Sequence, residues 1–180
     1  MENLKGTETE KNLYRTFSGE SRARNKYTFY AEKAEREGNH WIAEVFRRTA
    51  DDEKAHARRV FNDFLKLNTD LKLDLMDAIG GEVDEDNNVY KKFQEQAEQE
   101  GFSCIANFFR ELRDIEEYHA KCFKSLLDRL EKGMYIDSQV QRWQCINCGY
   151  IHEGISAPEK CPACGYPQGY YKMMNYKCEE

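Results

Sequence analysis

Proline is missing from the first 157 residues; the three prolines of the chain, Pro158, Pro162 and Pro167, all lie near its C-terminus. Most of the sequence is therefore free to form long helices, because no ring interrupts the backbone ladder. Long apolar runs are missing as well, which excludes a bilayer-spanning helix. The opening residues, Met1-Glu2-Asn3-Leu4-Lys5-Gly6-Thr7, lack the apolar stretch of a secretory signal. Positive charge is not in excess: 27 Lys and Arg face 33 Asp and Glu, for a net charge of −6, so nucleic acid is not an expected partner. No Gly-rich nicotinamide fingerprint occurs. A disulfide framework is also not expected. Four of the seven cysteines form two Cys-x-x-Cys pairs, while Cys104, Cys122 and Cys178 are scattered. That usage fits metal sites in a reducing compartment, and a cytoplasmic location is expected.

What is present is an internal duplication. Ala34-Glu35-Arg36-Glu37-Gly38 recurs 63 residues later as Ala97-Glu98-Gln99-Glu100-Gly101. At the same offset Ile42-Ala43-Glu44-Val45-Phe46-Arg47 returns as Ile105-Ala106-Asn107-Phe108-Phe109-Arg110, and Glu53-Lys54-Ala55-His56 as Glu116-Glu117-Tyr118-His119. Glu-x-x-His on a helix sets a carboxylate and an imidazole on one face. A single such motif arises easily by chance in so acidic a chain. Two in matching repeats do not. Periodicity and punctuation predict helices over about 9–37, 40–67, 75–100 and 103–132, with stop signals at Asn68-Thr69-Asp70 and Gly133. A linker is expected near 134–141. The predicted domains are 1–135, a helical bundle, and 140–180, a small cysteine-rich unit with little helical period.

Two further carboxylates stand at equivalent places. Glu20 precedes Glu53 by 33 residues, and Glu82 precedes Glu116 by 34. One Glu from each of two helices plus Glu-x-x-His from the other two is the ligand pattern of ferritin-like di-iron bundles. From Glu20 to Ala34 there are 14 steps, and from Glu82 to Ala97 there are 15. One extra residue in a matched helix predicts a π-bulge, which tends to occur at functional sites. The third helix also offers Glu85, one turn beyond Glu82. Glu20, Glu53, Glu82 and Glu116 balance two divalent irons. Oxidation adds positive charge that a buried site must neutralise, and Glu85 is a candidate to do so.

In the C-terminal unit, Cys145-Ile146-Asn147-Cys148-Gly149-Tyr150 and Cys161-Pro162-Ala163-Cys164-Gly165-Tyr166 form two knuckles. Four thiolates at this spacing suit a tetrahedral zinc or a single iron. The glycine after each second cysteine permits backbone N–H groups to approach the sulfurs. His152 is read as structural or exposed, since the thiolates saturate the metal. His40 and Trp41 are boundary and packing residues. Cys104 and Cys122 are expected to be buried and apolar in character, and Cys178 to be exposed and chemically idle.

Gly19-Glu20-Ser21-Arg22-Ala23-Arg24-Asn25-Lys26-Tyr27, the Glu53/His56 and Glu116/His119 pairs and the cysteine knuckles together resemble rubrerythrin over nearly the whole chain. The resemblance implies a mainly α protein: a ferritin-like four-helix bundle followed by a small rubredoxin-like four-cysteine domain with short β structure. It implies three Fe per chain, two held by Glu20, Glu53, His56, Glu82, Glu85, Glu116 and His119 and one by Cys145, Cys148, Cys161 and Cys164. It also implies that Glu85 and His56 exchange as ligands of one iron when the oxidation state changes, and that Tyr27 and Tyr90 stand beside the site. The activity implied is a non-haem di-iron peroxidase protecting against oxidative stress. Hydrogen peroxide would be reduced to water with electrons relayed through the rubredoxin-like iron. Their source would be an external NAD(P)H-dependent reductase or rubredoxin. The competing readings are a ferroxidase or iron-storage protein and an electron carrier. A homodimer is expected. The predicted link 68–74 reaches about 25 Å fully extended. A span of about 26 Å is needed from the helical rise on either side of the metals. A domain-swapped dimer would relieve that shortage.

Overall fold

The computed structural model describes residues 4–176 and 178, and they group into two compact units, Met1–Thr69 and Asp70–Glu180. The first unit is a helical hairpin of α1 (Glu8–Arg36) and α2 (His40–Arg59). Thr7 starts α1 by accepting from the Glu10 backbone N–H at 3.1 Å, while the Glu10 carboxylate accepts from Gly6 N–H; two otherwise unpaired donors are satisfied together. The helix stops where Gly38 takes φ +78°, which lets Asn39 N–H reach back to the Ala34 carbonyl at 2.8 Å. The hairpin closes on Ala31, Ala34 and Ala43 with Phe46 packed against them. Small side chains at these positions let the two backbones approach closely.

Helix α2 does not run on to Leu67 as expected. It passes into a π-helix, Val60–Phe64. There Leu65 N–H bonds to Val60 and Leu67 N–H to Phe61, and Lys66 at φ 52° turns the chain away. The widening of the ladder ends the helix.

The second unit begins with α3 (Leu71–Asp84). Its start lies ahead of the expected residue 75 because the Asp70 side chain caps it, accepting from Lys72 N–H at 3.0 Å and Leu73 N–H at 3.1 Å. A π-helix, Glu85–Tyr90, follows, then α4 (Lys91–Gln99) and α5 (Ser103–Lys132). The bulge anticipated from the extra residue is this π-helix. Gly101, at φ +82°, repeats the role of Gly38, with Phe102 N–H bonded to the Ala97 carbonyl at 2.8 Å. Lys72 and Glu131, 2.5 Å apart, join the start of α3 to the end of α5. Arg113 of α5 donates to the carbonyl and carboxylate of Asp86 and to Gln94, and so holds the π-helix and α4.

The expected linker is largely strand. β1 (Ile136–Cys145) pairs antiparallel with β2 (Ile151–Ser156) from Ile136 opposite Ser156 onward, and with β3 (Tyr171–Met173), in the order β2-β1-β3. Arg129 of α5 fixes the strand's approach by donating to the carbonyls of Met134 and Ile136, both at 3.2 Å. Behind the sheet, Trp143, Cys145, Ala157, Cys161 and Tyr171 form a core, and Trp143 Nε1–H donates to the Gly154 carbonyl at 3.0 Å.

Three cysteine expectations are corrected. Cys104 is exposed, because it sits in the first turn of α5 rather than on its packed side. Cys122 and Cys178 form a disulfide, and both are half-buried; the tail after β3 folds back onto α5. Among the described residues no helix is long and apolar enough to cross a membrane.

Candidate metal centres

Within the first unit, Glu20 of α1 meets Glu53 and His56 of α2, with one ligand atom of each lying within 4.8 Å of the others. His56 Nδ1 is 3.0 Å from Glu53 and 3.7 Å from Glu20. The acids polarise one another. The hydrogen bond with Glu53 raises the Glu20 carboxyl above its ordinary value, with burial adding to the effect. The same bond, followed by that to His56, holds Glu53 low. Glu53, more than burial opposes it, raises His56. The cluster therefore gathers positive charge between two carboxylates, the place where a cation would stand.

The duplicated cluster in the second unit is Glu82 of α3 with Glu116 and His119 of α5, again with donor atoms within 4.8 Å of one another. His119 Nδ1 is 2.7 Å from Glu116 and 3.5 Å from Glu82. Burial, then the hydrogen bond with Glu116, raises Glu82. Glu85 is not among these converging donors; it is exposed and opens the π-helix. Tyr90, which closes that helix, is raised first by burial, then by its hydrogen bond with Glu85, with Glu116 and Glu82 contributing. It thus borders the second cluster. Tyr27 packs in an aromatic group with Phe46 and Tyr30, at ring separations of 6.1 and 6.4 Å, and Lys26 lies over its ring.

Cys145, Cys148, Cys161 and Cys164 converge in the third site. The sulfurs of Cys145 and Cys164 are 3.8 Å apart, and those of Cys148 and Cys161 3.7 Å. A tetrahedral thiolate site with metal–sulfur bonds of about 2.3 Å has edges of about 3.8 Å. Gly149 and Gly165 both adopt positive φ, 81° and 75°, and each knuckle closes identically, by Gly149 N–H to Cys145 and Gly165 N–H to Cys161 at 2.8 Å. The Tyr150 and Tyr166 backbone N–H groups then reach the sulfurs of Cys148 and Cys164 and favour their thiolates. At Cys148 the neighbouring cysteines and burial outweigh this and push the thiol up to about 12. At Cys161 burial opposes the charge, but the Tyr171 hydroxyl and the Cys164 and Ala163 N–H groups bring the thiol down to about 6. Four sulfurs so close cannot all carry charge unaided. A metal cation resolves that conflict, and the donor set fits one.

Several supporting residues gave no signal in the sequence. Arg113 and Asp86 meet across 27 residues, and Tyr171 touches Cys161 only because β3 folds beneath the knuckles.

Comparison with known proteins agrees with this chemistry. The family model described as rubrerythrin matches residues 11–127 and 74–144, and the rubrerythrin rubredoxin-like domain matches residues 143–172. Rubrerythrin-1 of Clostridium acetobutylicum is 38% identical over 97% of this chain and 98% of its own length. Rubrerythrin of Nitratidesulfovibrio vulgaris is 36% identical with the same coverage, and that of Porphyromonas gingivalis 39% identical over 95% of this chain and 92% of its own. Solved nigerythrin, in a mixed-valence state, is 27% identical over 92% of this chain and 86% of that one, with a TM-score of 0.36, a likeness too loose to bear on how parts are arranged. The chain belongs to the rubrerythrin family, and its carboxylate–histidine clusters and four-cysteine site are the family's di-iron and rubredoxin-like iron sites.

Proposed function

We propose that this protein is a non-haem di-iron peroxidase that reduces hydrogen peroxide to water in the cytoplasm. Its electrons would come from an external NAD(P)H-dependent reductase or rubredoxin by way of the four-cysteine iron. The observation that carries the reading is the joint presence, in one chain, of two Glu/Glu/His clusters and a tetrathiolate site. When bound, the paired irons supply two electrons and Lewis acidity for O–O cleavage, and the tetrathiolate iron restores electrons singly. The residues do the rest. Glu20, Glu53 and His56 with Glu82, Glu116 and His119 hold the pair and neutralise its charge. The π-helix presents Glu85 as a mobile fifth carboxylate that matches added charge on oxidation, and the Tyr90 hydroxyl holds a proton against it. Tyr27 would stand near the first cluster in a corresponding role.

Storage or ferroxidase activity would give the four-cysteine site no task, and a simple electron carrier would not need a spare carboxylate. Stopped-flow oxidation of the fully reduced protein by peroxide and by dioxygen separates these readings. Oxidation by peroxide should be much the faster. Equal or faster oxidation by dioxygen, with iron retained as mineral, would establish the ferroxidase reading instead.

We further propose that the chain acts as a domain-swapped homodimer, with α1 and α2 of one copy completing the di-iron site with α3 and α5 of the other. The two clusters lie in separate compact units. Because α2 with its π-helix ends at Phe64 and α3 begins at Leu71, a site closed within one chain needs a link of about 28 Å by helical rise. The six residues between reach about 22 Å. The domain boundary proposed from the sequence, between 135 and 140, separates the iron chemistries, whereas the exchange would act at Thr69–Asp70.

A further inference from the structure

We propose that Cys122 and Cys178 are a peroxide-oxidised thiol pair whose reversible disulfide pins the tail of the four-cysteine module to α5. The bridge spans 56 residues, and the loop it closes contains β1, β2, β3 and all four metal-ligating cysteines. Cys122 is one turn along α5 from His119, so the bridge tethers the electron-transfer module beside the helix that holds an iron ligand of the other centre.

The two ends of the module are held differently. At its start, Arg129 donates to the Met134 and Ile136 carbonyls and, at 3.3 Å, to Asp137, and it lies over the Trp143 ring. Cys122, Leu126 and Arg129 fall on one stripe of α5, and Leu126 and Arg129 line a cavity with Trp143, Met173 and Tyr176 of the module. At the tail end, the Tyr176 hydroxyl is buried without a hydrogen-bond partner. That is a cost of docking which water would relieve on release. The covalent bond offsets it. Opening the bridge removes the constraint and favours an undocked tail.

Both cysteines are half-buried, within reach of small oxidants and dithiols. The chemistry balances with hydrogen peroxide as oxidant. One thiolate attacks a peroxide oxygen; an S–O bond forms, the O–O bond breaks, and hydroxide leaves and takes a proton. The second thiolate attacks that sulfenic sulfur; the S–S bond forms, the S–O bond breaks, and a second water leaves. Two thiols and one peroxide become one disulfide and two waters, with two electrons passing from sulfur to oxygen. A cellular dithiol reverses it through a mixed disulfide. Peroxide would thus lock the module in place while it is the substrate to be removed. The choice of oxidant rests on the peroxidase reading.

The test uses the iron-loaded full chain, reduced with a dithiol without oxygen, exposed to stoichiometric peroxide and quenched with an alkylating agent. Mass spectrometry of a non-reduced digest should show a Cys122–Cys178 linked peptide, about two mass units lighter than its thiol components, that dithiol reopens. The bridged tail should resist protease roughly tenfold better than the reduced tail. Cys178→Ser should bind iron like the parent yet lose both the linked peptide and the protection. Alkylation of both cysteines after peroxide, a bridge that dithiol fails to open in the folded protein, or unchanged protection in Cys178→Ser would each overturn the proposal. A protein that forms the bridge but does not turn peroxide over would sink the peroxidase reading alone.

Discussion

Glu116 is a buried acid, 8% exposed, and it survives there because His119 lies 2.7 Å away and Glu82 shares the site. A carboxylate taken from water needs such partners or a metal. Replacing Glu116 or Glu53 by alanine should empty or halve the di-iron site while the far-ultraviolet circular dichroism stays helical. Iron analysis showing normal occupancy in either variant would remove these residues from the ligand set. Glu85 sits apart from the converging donors and is exposed, so its substitution should behave otherwise. Glu85→Ala should load iron normally in the reduced state but oxidise with peroxide about tenfold more slowly or worse, the scale on which partners around a metal act. Parental kinetics would return Glu85 to the role of a solvated surface acid.

At the scale of the elements, an ion pair between Lys72 and Glu131 joins α3 to α5. Lys72 holds Glu131 below its ordinary carboxyl value of 4.5, and Glu131 holds Lys72 above its ordinary 10.5. The depressed Glu131 contributes stability above the ordinary carboxyl range, and this is lost as pH falls through its folded value. The raised Lys72 contributes below its ordinary value, and this is lost as pH rises through the folded one. The pair should therefore couple α3 to α5 across the neutral range. A double-mutant cycle on Lys72→Ala and Glu131→Ala should show coupling near pH ~7 that is lost once acid protonates Glu131. Coupling that persists in acid would mean packing, not charge, joins these ends. In the cysteine module, Cys161→Ser should abolish turnover from the external reductase while sparing a single oxidation of the pre-reduced di-iron site. A colourless protein with zinc in the thiolates and full activity would refute the relay.

For the molecule as a whole, the shortness of the 65–70 link bears most on assembly. Co-expression of Glu20→Ala and Glu116→Ala chains tests the exchange of helical hairpins directly. A swapped heterodimer should contain one site with every ligand intact and one doubly damaged, so purified heterodimers should recover about half the parental peroxide turnover. Heterodimers with no intact site would show that each chain closes its own.

The Glu53/His56 and Glu116/His119 pairs and the four cysteines were legible in the sequence because they depend on short-range spacing, Glu-x-x-His on one helical face and Cys-x-x-Cys around a turn, and the duplication that repeats Glu-x-x-His also marked Glu20 and Glu82 as equivalent positions. The π-helix was legible for the same reason, as one surplus residue between Glu82 and Ala97 that a helix must absorb locally. The Asp70 cap is equally local: a residue that reads as a stop signal for one helix also starts the next through its side chain. Tertiary structure decided what depends on partners far along the chain. The segment after Gly133 has no periodicity that marks a strand, yet β1 begins at Ile136 because β2 and Arg129 satisfy its backbone groups. Arg113 finds Asp86 only when α5 packs on the π-helix. Cys122 and Cys178 carry no ligand spacing, and only the return of the tail onto α5 makes them a pair. Local geometry is written in intervals of a few residues, whereas the meeting of distant side chains depends on how the whole unit packs.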